Sequence, residues 1–404
     1  MNPLSVPDSP RASVSEDRPA RTDFLAYNPP TIGDAERAEV MDTLQSPWVT
    51  TGPKTHAFEG ALKDYLQAPG VVALNSCTAG LHVALVALGV GPGDEVIVPS
   101  MTFCATANVV EHVGAKPVLV DVSPDSLTLS PEAVRAAITP RTKVLLPVHY
   151  AGHPAAMDEL DALAEEHGLA VLEDAAHAIP THYKGRLVGS RANLAAFSFY
   201  ATKNLTTIEG GCVTGDPALV EKCRIIGHHG MNRDAWKRFD RSGSWYYEVV
   251  LPGFKYNMTD VQASIGLQQL KRLEAFQRRR REVVARYAAG FADLAALQLP
   301  VELPWAESSW HLYVLRLRPE LLRIDRNAFI DELKARNIGT SVHYLPVHMH
   351  PFYRDKYGYL PEALPVAADA YSRMLSVPLH PGLTDEDVDD VIHAVRRLVL
   401  ANLA

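Results

Sequence analysis

Cysteine is scarce. The four residues Cys77, Cys104, Cys212 and Cys223 stand far apart, with no C-x-x-C spacing. That excludes a disulfide framework and a cysteine zinc site, and no metal is expected. It fits a reducing, cytoplasmic setting. No apolar run approaches the roughly 18 residues that a membrane span needs. Basic charge is also short: 39 Lys and Arg face 47 Asp and Glu, a net charge of −8. A deficit of positive charge argues against nucleic acid or an anionic membrane as partner. The one dense basic run, Arg278 to Arg281, lies in a polar helical stretch and reads as a solvated face. Residues 1–21 mix Pro, Ser, Arg and Asp without an apolar centre. They are neither a secretory signal nor a helix-turn-helix module, and they read as a disordered leader.

What is present is ordinary globular material, 47% hydrophobic and 21% charged over 404 residues. That length predicts more than one core. From residue 70 the chain alternates short apolar strands with helical stretches. Strands are expected at 70–74, 94–99, 117–121, 143–148 and 169–173, and helices at 81–88, 103–113 and 155–167. Such alternation gives an α/β fold with a mostly parallel sheet flanked by helices. The grammar changes near residue 255. A long helix over 258–293, an alternating strand from Trp310 to Leu317, a helix at 326–336, a strand near 340–344 and a helix at 385–401 form a smaller α+β unit. The expected division is a large domain over 22–257, whose segment 24–50 packs with or bridges to a small domain over 258–404.

The chemistry gathers past the strand ends, where ligands bind in such sheets. Val171 to Glu173 is a buried-strand run that ends in the carboxylate of Asp174, and Lys203 follows 29 residues later in a hydroxyl-rich turn. That pair suits pyridoxal 5'-phosphate. The lysine amine forms the Schiff base, and the aspartate keeps the pyridine nitrogen protonated so that the ring is an electron sink. Once displaced, Lys203 is a base and acid for the proton shift. Ser76 to Gly80 opens a helix, whose free N–H groups, with the Thr78 hydroxyl, offer an anion site or serve as ordinary caps. Ser198 is a second phosphate donor or a plain turn serine. Phe103 either stacks on the pyridine or packs in the core. Ala176 lies two residues beyond Asp174 and faces the other side of the ring. His177 reaches either the phenolic oxygen or an incoming carboxylate.

In their order these motifs resemble the DegT/DnrJ/StrS family of PLP-dependent nucleotide-sugar aminotransferases, which have the fold type I architecture. The resemblance spans about residues 24–398. It rests on Trp48 to Pro53, Asn75 to Gly80, Gly93 to Phe103 and His149 to Gly152. It continues through Glu173 to His177, Ser198 to Asn204, Gly253 to Asp260, His343 to His348 and Pro378 to Thr384. The resemblance implies that Lys203 carries the cofactor, Asp174 pairs with its ring nitrogen, His177 lies near its phenolic oxygen and Phe103 stacks on it. It implies phosphate contacts from Thr78, Ala79 and Ser198. It also implies a homodimer in which a polar residue of the other subunit, Asn257 or Lys255, reaches that phosphate. The sugar is expected among Thr51, Gly52, His343, Tyr344 and His348. Family dehydratases carry histidine in place of this lysine, so Lys203 favours amino transfer. The implied reaction moves an amino group from L-glutamate or glutamine to a nucleotide-linked keto sugar, closest to C4. A keto-cyclitol (scyllo-inosose type) acceptor and a non-catalytic, regulatory PLP-binding relative are the alternatives.

Overall fold

Runs of β-branched and small apolar residues that must be buried on both faces build the central sheet. The computed structural model describes residues 21–232 and 246–404. The expected leader lies outside the described residues except for Arg21. Its guanidinium is tied down, 2.6 Å from Asp387 and 3.0 Å from Asp390.

In chain order, α1 (Asp34–Gln45) and α2 (Pro53–Leu66) precede β1 (Gly70–Leu74), α3 (Cys77–Ala87), β2 (Glu95–Pro99), α4 (Ala105–His112) and β3 (Lys116–Val120). Then come α5 (Pro131–Ala137), β4 (Thr142–Leu145), α6 (Met157–His167) and β5 (Ala170–Asp174). A hairpin of β6 (His182–Tyr183) and β7 (Arg186–Leu187) leads to β8 (Leu194–Ser198), β9 (Gly211–Gly215) and α7 (Pro217–Gly227). The seven-stranded sheet has the order β1-β9-β8-β5-β4-β2-β3. β8, β5, β4, β2 and β3 run parallel, and β9 is antiparallel to β1 and β8. All five residues of β2, β8 and β9 are buried. Leu81, Val83 and Leu85 of α3 pack on one side with Val96 and Val98, and Phe58, Leu62 and Phe197 form a core on the other.

α8 (Asp260–Phe291) starts at a capping box made by Thr259 and Gln262. Beyond it lie β10 (Leu297–Gln298), β11 (Ala306–Glu307), β12 (Tyr313–Leu317), α9 (Arg326–Ala335), α10 (Pro351–Tyr357), α11 (Pro365–Arg373), β13 (Met374–Val377) and α12 (Asp385–Ala401). A second sheet has the antiparallel order β10-β12-β13. Its core joins Tyr287, Phe291, Tyr313, Leu315, Phe329 and Val395, and Leu25 of the N-terminal segment packs into it. α1 is held on α8 through buried Glu36, which accepts from Arg272 and Gln269 at 2.8 Å.

Two expectations fail. Residues 340–344 are not a strand: only Ser341 pairs, as a single bridge to Ser376. The strand there is β13, whose four buried residues show no alternation to read. β12 starts at Tyr313 rather than Trp310, because Trp310 sits at a φ of 47° and breaks the extended run. No helix among the described residues is long and apolar enough to cross a membrane.

Candidate active site

The carboxyl ends of β1, β5 and β8 meet at one cleft, because parallel strands deliver their following loops to the same edge. Asp174 is the last residue of β5 and is buried. One carboxylate oxygen accepts from the Thr106 hydroxyl at 2.8 Å and the other from the Ala176 N–H at 3.1 Å. Burial pushes this carboxyl above its usual range, while Thr106, the Ala176 amide and the Lys203 charge push back. Among the described residues no cation stands within ion-pair distance of it, and neither does any carboxylate of Lys203. Burial lowers the Lys203 amine from 10.5 to about 8, against opposing pulls from Cys77 and Asp174. The lysine turn is pinned by Lys203 N–H on Tyr200 O and by the Asn28 side chain on Thr202 O.

Around this pair stand the other expected groups. Ser76 caps α3 and takes the Ala79 N–H at 3.0 Å. Thr78, next to Ala79 in the first turn of α3, is exposed. Ser198 ends β8 and is buried, and its hydroxyl accepts from Tyr200 N–H at 3.4 Å. Phe103 is 56% exposed, unusual for a phenylalanine, and its ring centre is 5.7 Å from that of Tyr344. Ala176 is half-buried against the core.

His177 is fixed in one tautomer. Its Nδ1 accepts from the Ala151 N–H at 3.2 Å, and burial pushes its pKa well below the usual value. The neutral ring therefore carries its proton on Nε2, 3.0 Å from Tyr344 Oη, and donates there. His343 also stays neutral, lowered to about 4 by burial, with Nδ1 2.9 Å from Ser376 Oγ. Tyr150 donates to the His343 carbonyl.

The remaining expected residues are Thr51, Gly52, Asn257, Lys255 and His348. Thr51 and Gly52 sit at the foot of α2. The Thr51 hydroxyl donates to Met258 O at 2.5 Å, and Gly52 N–H donates to Asp260 at 2.8 Å. A Cβ on Gly52 would fall inside the Trp48 indole, so no larger residue fits there. Asn257 donates to the Thr51 hydroxyl at 2.5 Å. Thr51 and Asn257 line a cleft with Glu59 and Arg224, and Lys255 is exposed. His348 is a correction. It is fully buried, with Nδ1 2.6 Å from Ser100 Oγ and Nε2 3.0 Å from Pro361 O, so both nitrogens are used by the fold and neither faces a ligand.

Sequence reasoning missed Thr106, Asn204 and His311. Thr106 lies three residues beyond Phe103, and Asn204 directly follows Lys203, so proximity in sequence was a usable signal for both. His311 arrives from the far half of the chain and had none.

The family profile of the DegT/DnrJ/EryC1/StrS aminotransferases matches residues 30–396. The chain belongs to that family. It is 49% identical to the spore coat polysaccharide biosynthesis protein SpsC of Bacillus subtilis, over 94% of this chain and 98% of that one. Spr1654 of Streptococcus pneumoniae in its PLP form superimposes with a TM-score of 0.87 at 37% identity, covering 94% and 99% of the two chains. PseC of Helicobacter pylori, an aminotransferase involved in the biosynthesis of pseudoaminic acid, does so with a TM-score of 0.87 at 27% identity, covering 94% and 100%. The chain is a PLP-dependent sugar aminotransferase of fold type I. The cleft fits that cofactor. It offers, among the described residues, an amine and a buried carboxylate that are in no ion pair, together with an exposed aromatic face. Bound pyridoxal phosphate supplies an electron sink for the negative charge left when a carbon beside nitrogen loses its proton.

Proposed function

We propose that this enzyme moves the amino group of L-glutamate or glutamine to C4 of a nucleotide-linked keto sugar in the cytoplasm. The observation that carries the reading is the Lys203 amine at about 8, unpaired, beside the buried Asp174 carboxylate. An amine so lowered is a base near neutral pH, able to take and return a proton at the substrate carbon. Asp174, kept in orientation by Thr106 and the Ala176 amide, holds the ring nitrogen. Phe103 and Ala176 cover the two ring faces, Thr78 and Ser198 bind the phosphate, and His177 orients the phenolic oxygen. The sugar contacts Thr51, Gly52, His343 and Tyr344.

Thr51 and Asn257 line a cleft that includes neither Lys203 nor Asp174, and a homodimer with shared sites would bring that cleft to the partner's cofactor. In that dimer Asn257 of the partner subunit, or Lys255 of the partner subunit, completes the phosphate site. The large domain over 22–257 holds the cofactor, and the small domain over 258–404 closes over it. The names of SpsC and PseC, which concern a coat polysaccharide and pseudoaminic acid, support a product bound for a surface glycan.

The reverse half-reaction tests this. The PLP form is mixed with a panel of nucleotide-linked 4-amino sugars, 3-amino sugars and amino-cyclitols while the cofactor's visible absorbance is followed. Loss of the band with a 4-amino nucleotide sugar supports the reading. Response to amino-cyclitols alone replaces it with the keto-cyclitol reading.

A further inference from the structure

Two imidazoles lie tilted against each other near Lys203, and only one was anticipated. The His177 and His311 ring centres are 4.3 Å apart, with planes 40° from parallel. His311 is buried, and three backbone bonds set its place: His311 N–H on Ala151 O at 3.0 Å, Ser309 N–H on Gly152 O at 3.2 Å and Leu312 N–H on Ala151 O at 3.3 Å. Gly152 permits this approach. At its φ of 96° a Cβ would lie 2.9 Å from Trp310 N and 3.0 Å from His311 N.

Asn204, the residue after Lys203, decides where the His311 proton sits. Its Nδ2 donates to Ser309 O at 2.9 Å, and a carbonyl can only accept, so the Asn204 amide cannot be turned round. Its Oδ1 then faces His311 Nδ1 at 3.1 Å, which must carry the proton. Burial first, then His177 and Lys203, hold His311 neutral. Its Nε2 is therefore a bare lone pair. Among the described residues nothing donates to it, and the ring lies against His177 within reach of the Lys203 charge. The neighbouring His177 has the opposite tautomer, with its proton on Nε2 committed to Tyr344.

We propose that His311 is a further substrate-contacting residue, whose Nε2 accepts a hydrogen bond from a hydroxyl of the keto sugar, and that Asn204 is its positioning residue. A bare nitrogen acceptor favours O–H donors and repels carboxylates, so this contact serves the sugar and not the amino donor. The proposal rests on the aminotransferase reading above.

Selective ¹⁵N-histidine NMR of the holoenzyme tests the tautomers without turnover. The expected spectrum has His311 protonated on Nδ1 and His177 on Nε2. A His311 proton on Nε2 overturns the proposal. His311→Asn keeps a donor to Asn204 and deletes the acceptor. With a nucleotide-linked 4-keto-6-deoxyhexose, kcat/KM should fall about tenfold, the value of one neutral hydrogen bond. The glutamate half-reaction, read as absorbance, should fall less than the sugar half-reaction. Against analogues with each sugar hydroxyl removed in turn, the variant should become indifferent to one hydroxyl that the parent enzyme needs. Equal sensitivity to every hydroxyl in both proteins overturns the contact. If His311→Asn does not fold, Asn204→Asp serves instead. The carboxylate should stabilise an imidazolium that takes its second proton from water, so that both His311 nitrogens carry protons and kcat/KM falls similarly, and a still-bare Nε2 with unchanged rates overturns the positioning role. A parent enzyme inert to both glutamate and glutamine counts against the proposed reaction, and the NMR result still decides the tautomer.

Discussion

Replacing Lys203 with Met in the cofactor-free protein is expected to stabilise it, by an amount that shrinks as pH rises. The cause is the cost of holding an ammonium in a partly desolvated cleft, which burial sets and Cys77 and Asp174 only partly offset. The folded amine titrates near 8 and the unfolded one near 10.5. Below pH 8 both states are charged, and the folded chain bears the whole cost. Between these values the folded chain sheds its proton while the unfolded chain keeps it, so wild-type stability rises with pH. Above 10.5 neither is charged and the cost is gone. At 1.36 kcal/mol per pH unit the gap is worth at most about 3 kcal/mol. Because the side chain is only partly buried, about 1–3 kcal/mol is expected for Lys203→Met near neutral pH. Urea unfolding of both proteins at about pH 7, 9 and 10.5 measures it by linear extrapolation. A gain that is the same at all three, or a loss near neutral pH, refutes the reasoning.

Other consequences follow from named contacts. Thr106→Val removes the hydroxyl that bonds Asp174 and leaves its shape. A hydrogen bond to a charged group is worth about 1.5–3 kcal/mol, so PLP affinity should drop at least tenfold in an absorbance titration. His348→Ala should cost about 2–3 kcal/mol of unfolding free energy, because it orphans Ser100 and leaves a cavity. Its kcat/KM for the sugar, measured at low temperature, should stay within about twofold of wild type, since a group sealed in the fold adds no substrate binding. Gly152→Ala should cost more than about 2 kcal/mol and should lower kcat, because the φ of 96° and the crowding at Trp310 and His311 both oppose a Cβ. Co-expressed Lys203→Ala and Asn257→Ala chains should regain activity that each lacks alone, since a mixed dimer would hold one intact site. No recovery contradicts the shared-site dimer.

The central sheet was legible because each strand is a short apolar run closed by a turn. The expected 70–74 strand coincides with β1, and the others differ by a few residues at their ends. The long helix was expected over 258–293 and runs from Asp260 to Phe291. β13 was not legible, since Met-Leu-Ser-Val carries neither alternation nor a flanking turn. Thr-Ser-Val-His-Tyr at 340–344 looked extended, but side-chain bonds from Ser376 and Tyr150 hold it in place of a ladder. At the site, Asp174, His177 and Phe103 could be read because each follows a strand closely. His348 misled because a histidine in a motif looks the same whether it serves a ligand or the fold. Its two internal partners, Ser100 and Pro361, declare themselves only in three dimensions. His311 was invisible because Asn204 and Gly152, which define its tautomer and approach, lie more than 100 residues away.

The central claim is that one cofactor joins Lys203 to the cleft that Asp174 closes. Borohydride reduction of the holoenzyme, followed by digestion and peptide mass mapping, tests it most directly. The account predicts the pyridoxyl mass on the peptide that contains Lys203, lost in Lys203→Ala. The same mass on a peptide that carries a different lysine contradicts it.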